Sequence, residues 1–251
     1  MSTKLKQAKY MAGAALVLLL GAPTMGFAQI PLGAAETFAV LAATTVTNTS
    51  ATTTITGDVG VSPGTEIVGL PAGQPIGGSI YAGDTVAAQA QADLGIAYGA
   101  LAAMPCTTPM SGVDLGAQTL TPGVYCFAAA AGMTGVLTLD AQGDPNAEFV
   151  FQISSALSVA GGASMVLTNG AQASNVWWQV GSSATLGGAS VMVGNILAYT
   201  SISFDTGASL IGRALAEGGA VTMDANNIVG PAGTVTATGA STWGGFKAIY
   251  R

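Results

Sequence analysis

Gly162-Ala163-Ser164, Gly188-Ala189-Ser190 and Gly207-Ala208-Ser209 punctuate the stretch from Phe149 to Ile228, and an apolar pair or triplet follows each at once. Ahead of the first two stand Phe149-Val150-Phe151-Gln152-Ile153 and Val176-Trp177-Trp178-Gln179-Val180. The same beat occurs earlier in Gly135-Val136-Leu137-Thr138-Leu139 and later in Gly219-Ala220-Val221-Thr222-Met223. Self-similarity at roughly 20 to 30 residues, in short β-type runs separated by Gly, is the signature of stacked coils in a β-solenoid. A solenoid offers flat faces rather than a cleft, so the functional question becomes one of surfaces.

Outward from that core, residues 37–64 alternate with period two. Eight of the thirteen residues from Thr44 to Thr56 are Thr, with Val46 and Ile55 set between threonines. Such alternation predicts strands with Val46 and Ile55 inward and the threonines outward. Residues 65–83, rich in Gly and Pro, are expected to be loop. At Asp84 the character changes. Asp84 is a good N-cap, and the Ala-rich run to Ala103, with Val86, Leu94, Tyr98 and Leu101 near helical spacing, predicts one helix over about 84–103. Pro105 stops it. The helix is expected to lie flat along the outside of the solenoid.

Residues 1–28 have the form of a secretion leader. Lys4, Lys6 and Lys9 precede the short apolar run Met11 to Leu20, and Gly26-Phe27-Ala28 supplies small residues for cleavage after Ala28. That run is too short for a comfortable membrane span. Twelve acids and three bases (Arg213, Lys247 and Arg251) lie beyond it, a formal charge of −9. A chain this acidic has no electrostatic footprint for nucleic acid or an anionic membrane. Only 7% of residues are charged, against about a quarter in ordinary domains. Surface polarity must come from Thr, Ser, Asn, Gln and backbone. The expected organisation is a solenoid over 29–229 and a tail or cap over 230–251. In an exported chain Cys106 and Cys126 are expected to form a disulfide closing a loop of about 20 residues, worth roughly 3 kcal/mol; a metal pair would lack any histidine or third thiol nearby.

An ordered set of motifs adds to this. Gly57-Asp58-Val59-Gly60-Val61-Ser62-Pro63-Gly64, Thr121-Pro122-Gly123-Val124-Tyr125, Leu137-Thr138-Leu139-Asp140-Ala141-Gln142-Gly143-Asp144, Asn169-Gly170-Ala171, Gly212-Arg213-Ala214-Leu215-Ala216 and Gly219-Ala220-Val221-Thr222-Met223-Asp224 accompany the two aromatic runs. Together they closely resemble the DUF3494 ice-binding (antifreeze) family of cold-adapted bacteria, fungi and algae, over nearly all of 32–229. The resemblance implies a mostly β protein: a right-handed, discontinuous β-solenoid of triangular section with one long α-helix alongside. It also implies that one flat face adsorbs to ice. The tail lies outside the match, and the cysteine pair is not among the family's common motifs.

On that reading the physics is simple. Stacked strands repeat every 4.7–4.9 Å, so outward Thr and Ser form a ruled array. Methyls give water no competing partner while hydroxyls anchor it, and many ordered waters act together. A rigid array loses less ordering entropy on binding. Aligning Leu157-Ser158-Val159, Ala184-Thr185-Leu186, Ser203-Phe204-Asp205-Thr206 and Thr222-Met223-Asp224 as equivalent strands gives the expected ice-binding set. It comprises Ser158, Thr185, Ser203, Asp205, Thr222 and Asp224, joined by Thr45, Thr47, Thr49, Thr54 and Thr56 from the N-terminal unit. The expected protein is secreted and monomeric, with ice as its partner and no cofactor.

Several residues have plainer roles. Arg213 is expected to pair with a carboxylate, Glu217 or one on a neighbouring coil, and Trp177 and Trp178 to face opposite ways. Asp140, Asp144, Asn146 and Glu148 fit no EF-hand spacing and are expected to be solvated turn residues. A Tyr at Asp93, on the helix, is expected to leave ice activity almost unchanged. Two other functions compete. A polysaccharide-active β-helix enzyme needs paired carboxylates across a groove or a placed base, and this chain has no histidine and one mid-chain arginine. An adhesin or matrix-binding module would favour tandem repeats or a sorting signal over a lone domain.

Overall fold

The computed structural model describes residues 30–230. The leader with its cleavage point, and the tail beyond Gly230, lie outside the described residues. After a 3-10 turn (Gly33–Thr37), the N-terminal unit holds β1 (Phe38–Ala42), β2 (Thr45–Asn48), β3 (Thr54–Thr56), β4 (Asp58–Val61), β5 (Glu66–Val68) and β6 (Ile80–Ala82). Helix α1 (Thr85–Ala102) then carries the chain along the solenoid to β7 (Thr108–Pro109) and β8 (Thr119–Leu120). From there it winds back through β9 (Gly123–Phe127), β10 (Ala131–Met133), β11 (Val136–Asp140), β12 (Phe149–Ile153), β13 (Leu157–Val159) and β14 (Ser164–Thr168). The last coils hold β15 (Val176–Val180), β16 (Ala184–Leu186), β17 (Val191–Ala198), β18 (Ile202–Phe204), β19 (Ser209–Ala216), β20 (Val221–Met223) and β21 (Asn227–Val229).

Every strand pairing is parallel, and the ladders define three faces. The helix face runs β6-β4-β1-β19-β17-β15-β12-β9-β7, and a short-strand face runs β10-β13-β16-β18-β20-β2-β5. A long-strand face is built from β8, β11, β14, the first halves of β17 and β19, then β21 and β3. The last coil of the C-terminal run stacks on the first coil of the N-terminal unit, through β19 on β1, β20 on β2 and β21 on β3. This is the discontinuity that the resemblance implied. Strands β17 and β19 turn the corner between two faces at Gly194 and Gly212, both at positive φ. A Cβ on Gly212 would sit 1.9 Å from the Gly194 carbonyl oxygen, so the corner demands glycine.

The inward residues fill the triangle. Val46 and Ile55 are fully buried, as the alternation predicts, and so is Trp178. Tyr125, Phe151 and Trp178 are aligned in register on β9, β12 and β15. Their rings stack at 5.5 Å and 3.9 Å between centroids. Trp177 points the other way and joins Leu41, Val124, Val150, Leu197 and Leu215 beneath α1. The helix meets that layer through Ala87, Ala90, Leu94, Ala97 and Leu101. Small side chains let it lie close. The Asp84 carboxylate accepts the Ala87 N–H at 2.9 Å, and the Gln152 amide donates to the Leu101 and Met104 carbonyls at 2.7 and 2.8 Å, so a side chain caps each helix end.

Several expectations need correction. Residues 65–83 are not all loop: β5 and β6 form the terminal coil, because Ile67 and the strand backbones still find partners on β2 and β4. Val86 is exposed, since the buried stripe runs through alanines. Arg213 does not pair with Glu217; the carboxylate whose charge favours it is that of Glu36. Its Nε and Nη2 donate to the Glu36 carbonyl at 2.9 and 2.7 Å, and Nη1 donates to Asn195 Oδ1 at 2.8 Å, tying the N-terminal turn to the C-terminal coils. Glu148 is buried rather than solvated, and burial pushes its carboxyl up. The Asp93 carboxylate accepts the Ala34 N–H at 2.7 Å and pins the 3-10 turn to α1. Cys106 and Cys126 are joined, with Cα atoms 5.9 Å apart, stapling the helix exit to β9.

Candidate functional site

With α1 covering one side, two faces remain open. On the short-strand face the strand centres align Gly132, Ser158, Thr185, Ser203, Thr222, Thr47 and Val68 in one outward row. Six inter-strand steps make that row about 29 Å long. The expected residues Ser158, Thr185, Ser203, Thr222 and Thr47 are therefore brought together, with Thr45 beside Thr47 on the same strand. Their inward neighbours Leu157, Val159, Leu186, Phe204 and Met223 are buried.

The rest of the expected set lies elsewhere. Thr54 and Thr56 are on β3, in the long-strand face. Thr49, Asp205 and Asp224 fall just past their strands, at the corner between the two open faces. There the Thr206 hydroxyl donates to the Asp224 carboxylate, and Asn226, buried behind them, donates to the Asp205 and Ala208 carbonyls at 2.9 Å each. The repeat that suggested one alignment is itself staggered. Ser164 and Ser209 are both in register with Val191, so Ser190 sits one place earlier, buried in the corner. The same three letters occupy different positions.

The long-strand face carries two outward rows. One aligns Val136, Ser164, Val191, Ser209, Asn227 and Thr54. The other aligns Thr119, Thr138 and Val166, then Ile211, Val229 and Thr56, interrupted at Val193, which is buried. Val136, Val166, Val191 and Ile211 are 40–48% exposed, a run of apolar side chains that folding alone does not require. Thr54 donates to Asn227 Oδ1 at 2.8 Å, one rung to the next. Apart from Thr54 and Thr56, sequence reasoning missed this face, although alternation in Val136-Leu137-Thr138-Leu139-Asp140 and Ser164-Met165-Val166-Leu167-Thr168 carried its signal. Those runs look like ordinary half-buried strands until the register stacks them.

Both open faces carry few charges. The short-strand face has Glu66 at one end and Asp114 at the other, whose carboxylate lies 3.4 Å from where a Gly132 Cβ would be. Burial pulls the Asp114 carboxyl up, but N–H groups of Thr134 and Gly116 outweigh it and hold the group low. On the strands of the long-strand face the one ionisable side chain is Asp140, at the end of β11, held low by the Asn169 amide and then by the Gln142 N–H. Among the described residues no group of three His, Cys, Asp or Glu side chains could hold a metal ion, and no helix is long and apolar enough to cross a membrane.

The family of ice-binding-like proteins matches residues 40–229. The chain belongs to that family. An ice-binding protein of Nostoc sp. (strain HG1) is 52% identical over 198 residues, covering 78% of this chain and 72% of that one. An ice-binding protein of Flavobacterium frigoris is 32% identical over 215 residues, covering 80% and 76%. Among solved structures, an ice binding protein from an Antarctic biological consortium superposes with a TM-score of 0.78 at 45% identity, covering 85% of this chain and 96% of that one. The ice-binding protein of the Antarctic ascomycete Antarctomyces psychrotrophicus gives 0.75 at 40% identity, covering 80% and 98%. The ice-binding family thus shares both the sequence motifs and the discontinuous solenoid.

Proposed function

We propose that this protein is secreted, binds ice as a monomer, and slows ice growth and recrystallisation without any catalytic step or cofactor. Nucleic acid and membranes are not its partners on this reading, given the acidity of the mature chain. The contact surface is the long-strand face. The observation that carries this is the interleaving of exposed Val136, Val166, Val191 and Ile211 with Ser164, Ser209, Asn227, Thr54 and Thr56 on a rigid parallel ladder. Methyls leave water free to take its own lattice, and hydroxyls and amides fix that lattice to the protein. Ionised groups would impose liquid-like hydration, and the strands here carry one, at an edge.

A second reading places ice on the short-strand face, favoured by its unbroken hydroxyl run from Ser158 through Thr185, Ser203 and Thr222 to Thr47. Ice-crystal growth watched under a microscope, with purified mature protein at micromolar concentration, tests the function itself. Faceted, slowed crystals are expected, and round, freely growing crystals would refute it. Bulky substitutions on each face then decide which surface acts.

A further inference from the structure

Among the described residues a polar anomaly lies along one flank of α1, away from both open faces. Gln91, Gly95 and Tyr98 fall on one side of the helix at i, i+4 and i+7. Against them lie Glu217, just after β19, and Tyr199, just after β17. The Gln91 amide donates to the Ala216 carbonyl at 3.2 Å, placing its head beside Glu217. A Cβ on Gly95 would sit 3.5 Å from Glu217 Oε1, so the carboxyl packs directly on the helix backbone. Tyr98 completes the flank, donating to the Val180 carbonyl at 3.3 Å with its ring 6.1 Å from that of Tyr199. Two atoms in this cluster are buried without a hydrogen bond: Gln91 Oε1 and Glu217 Oε2.

Both orphans are acceptors while Glu217 is ionised, and two acceptors cannot satisfy each other. A protonated carboxyl supplies the missing donor. We propose that neutral Glu217 donates its carboxyl proton in a hydrogen bond to Gln91 Oε1, latching α1 to the solenoid, and that ionisation opens this latch as pH rises.

Among the described residues the one cation is not placed to hold the charged form. Arg213, two places before Leu215 on the same strand, is committed to the Glu36 carbonyl and Asn195. Asp93 on α1 turns to the opposite flank, toward Ala34 and Gln89. Tyr98 and Tyr199 are the remaining titratable groups at the flank, and Gln179 beside them is neutral. Burial raises the Glu217 carboxyl. Burial also raises the Tyr98 phenol, Gln179 opposes that, and the Glu217 charge adds to it. A raised carboxyl stabilises the fold fully below its unfolded value of about 4.3, and loses that contribution as pH climbs through the folded value.

Thermal unfolding of the mature protein between pH 4 and pH 7 tests the latch. In Glu217→Gln the amide can donate to Gln91 at every pH. Its melting temperature should rise by about 2–4 °C at pH 7 and vary less with pH than the wild type's. Gln91→Leu removes the acceptor and should lower the melting temperature more at pH 4 than at pH 7. Glu148 is also buried and raised, so both changes are repeated in a Glu148→Gln background, where the same differences should persist. The latch is overturned if Glu217→Gln keeps the wild-type pH slope in both backgrounds, or if Gln91→Leu costs the same at both pH values.

Discussion

Val191→Tyr probes the long-strand face at its middle. Val191 is 40% exposed and lies in register between Ser164 and Ser209, one strand spacing of about 4.8 Å on either side. Its neighbour Met192 is fully buried and would keep its place in the core. Tyr suits a strand, so stability should change by no more than about 0.5 kcal/mol. The ring, however, would stand over three successive rungs and displace the water each one orders. At about 0.5–1.5 kcal/mol for each lost contact, the deficit is about 1.5–4.5 kcal/mol, or roughly tenfold to a thousandfold in effective affinity. Titrating ice-crystal shaping and recrystallisation inhibition against protein concentration reads that shift directly. Ile96→Tyr, at a 65% exposed position on the outside of α1, serves as the matched control and should leave activity unchanged. A folded Val191→Tyr protein as active as the control would refute assignment to this face.

Three further outcomes are expected. Thr185→Tyr and Thr222→Tyr, both exposed on the short-strand face, should change stability by less than about 1 kcal/mol; loss of ice shaping in them with full activity in Val191→Tyr would move the site to that face. Reducing Cys106–Cys126 should remove roughly 3 kcal/mol and lower the melting temperature by about 6–12 °C in calorimetry, while ice shaping near 0 °C survives, because the staple lies between α1 and β9 on the helix face. Arg213→Met leaves Asn195 Oδ1 and the Glu36 carbonyl without a donor and should destabilise by about 3 kcal/mol or more in denaturant titration, with no change in m-value.

The solenoid was legible because its signals are local and repeated. Period-two alternation places Val46 and Ile55 inside without knowledge of what they stack on, and an Asp followed by an alanine run announces α1 as well as any tertiary contact does. The short-strand row was legible for the same reason, since three-residue strands such as Leu157-Ser158-Val159 and Ala184-Thr185-Leu186 present one outward side chain each. What the sequence hid is long-range register. Nothing local says that β19 lies against β1, 177 positions separating Arg213 from Glu36, or that the arginine would find its partners on the N-terminal turn. Nor can identical triplets reveal that one is shifted. From the last residue of β13 or β16 to the next outward position is five steps in both coils, yet Gly-Ala-Ser ends on that position in one and one short of it in the other, so Ser190 turns into the corner and Val191 takes the outward place. That single offset converts a row of serines into Ser164, Val191, Ser209. The mixed row, with methyl and hydroxyl on alternate rungs, is the feature that distinguishes the long-strand face from a merely polar one. It exists only once the coils are stacked.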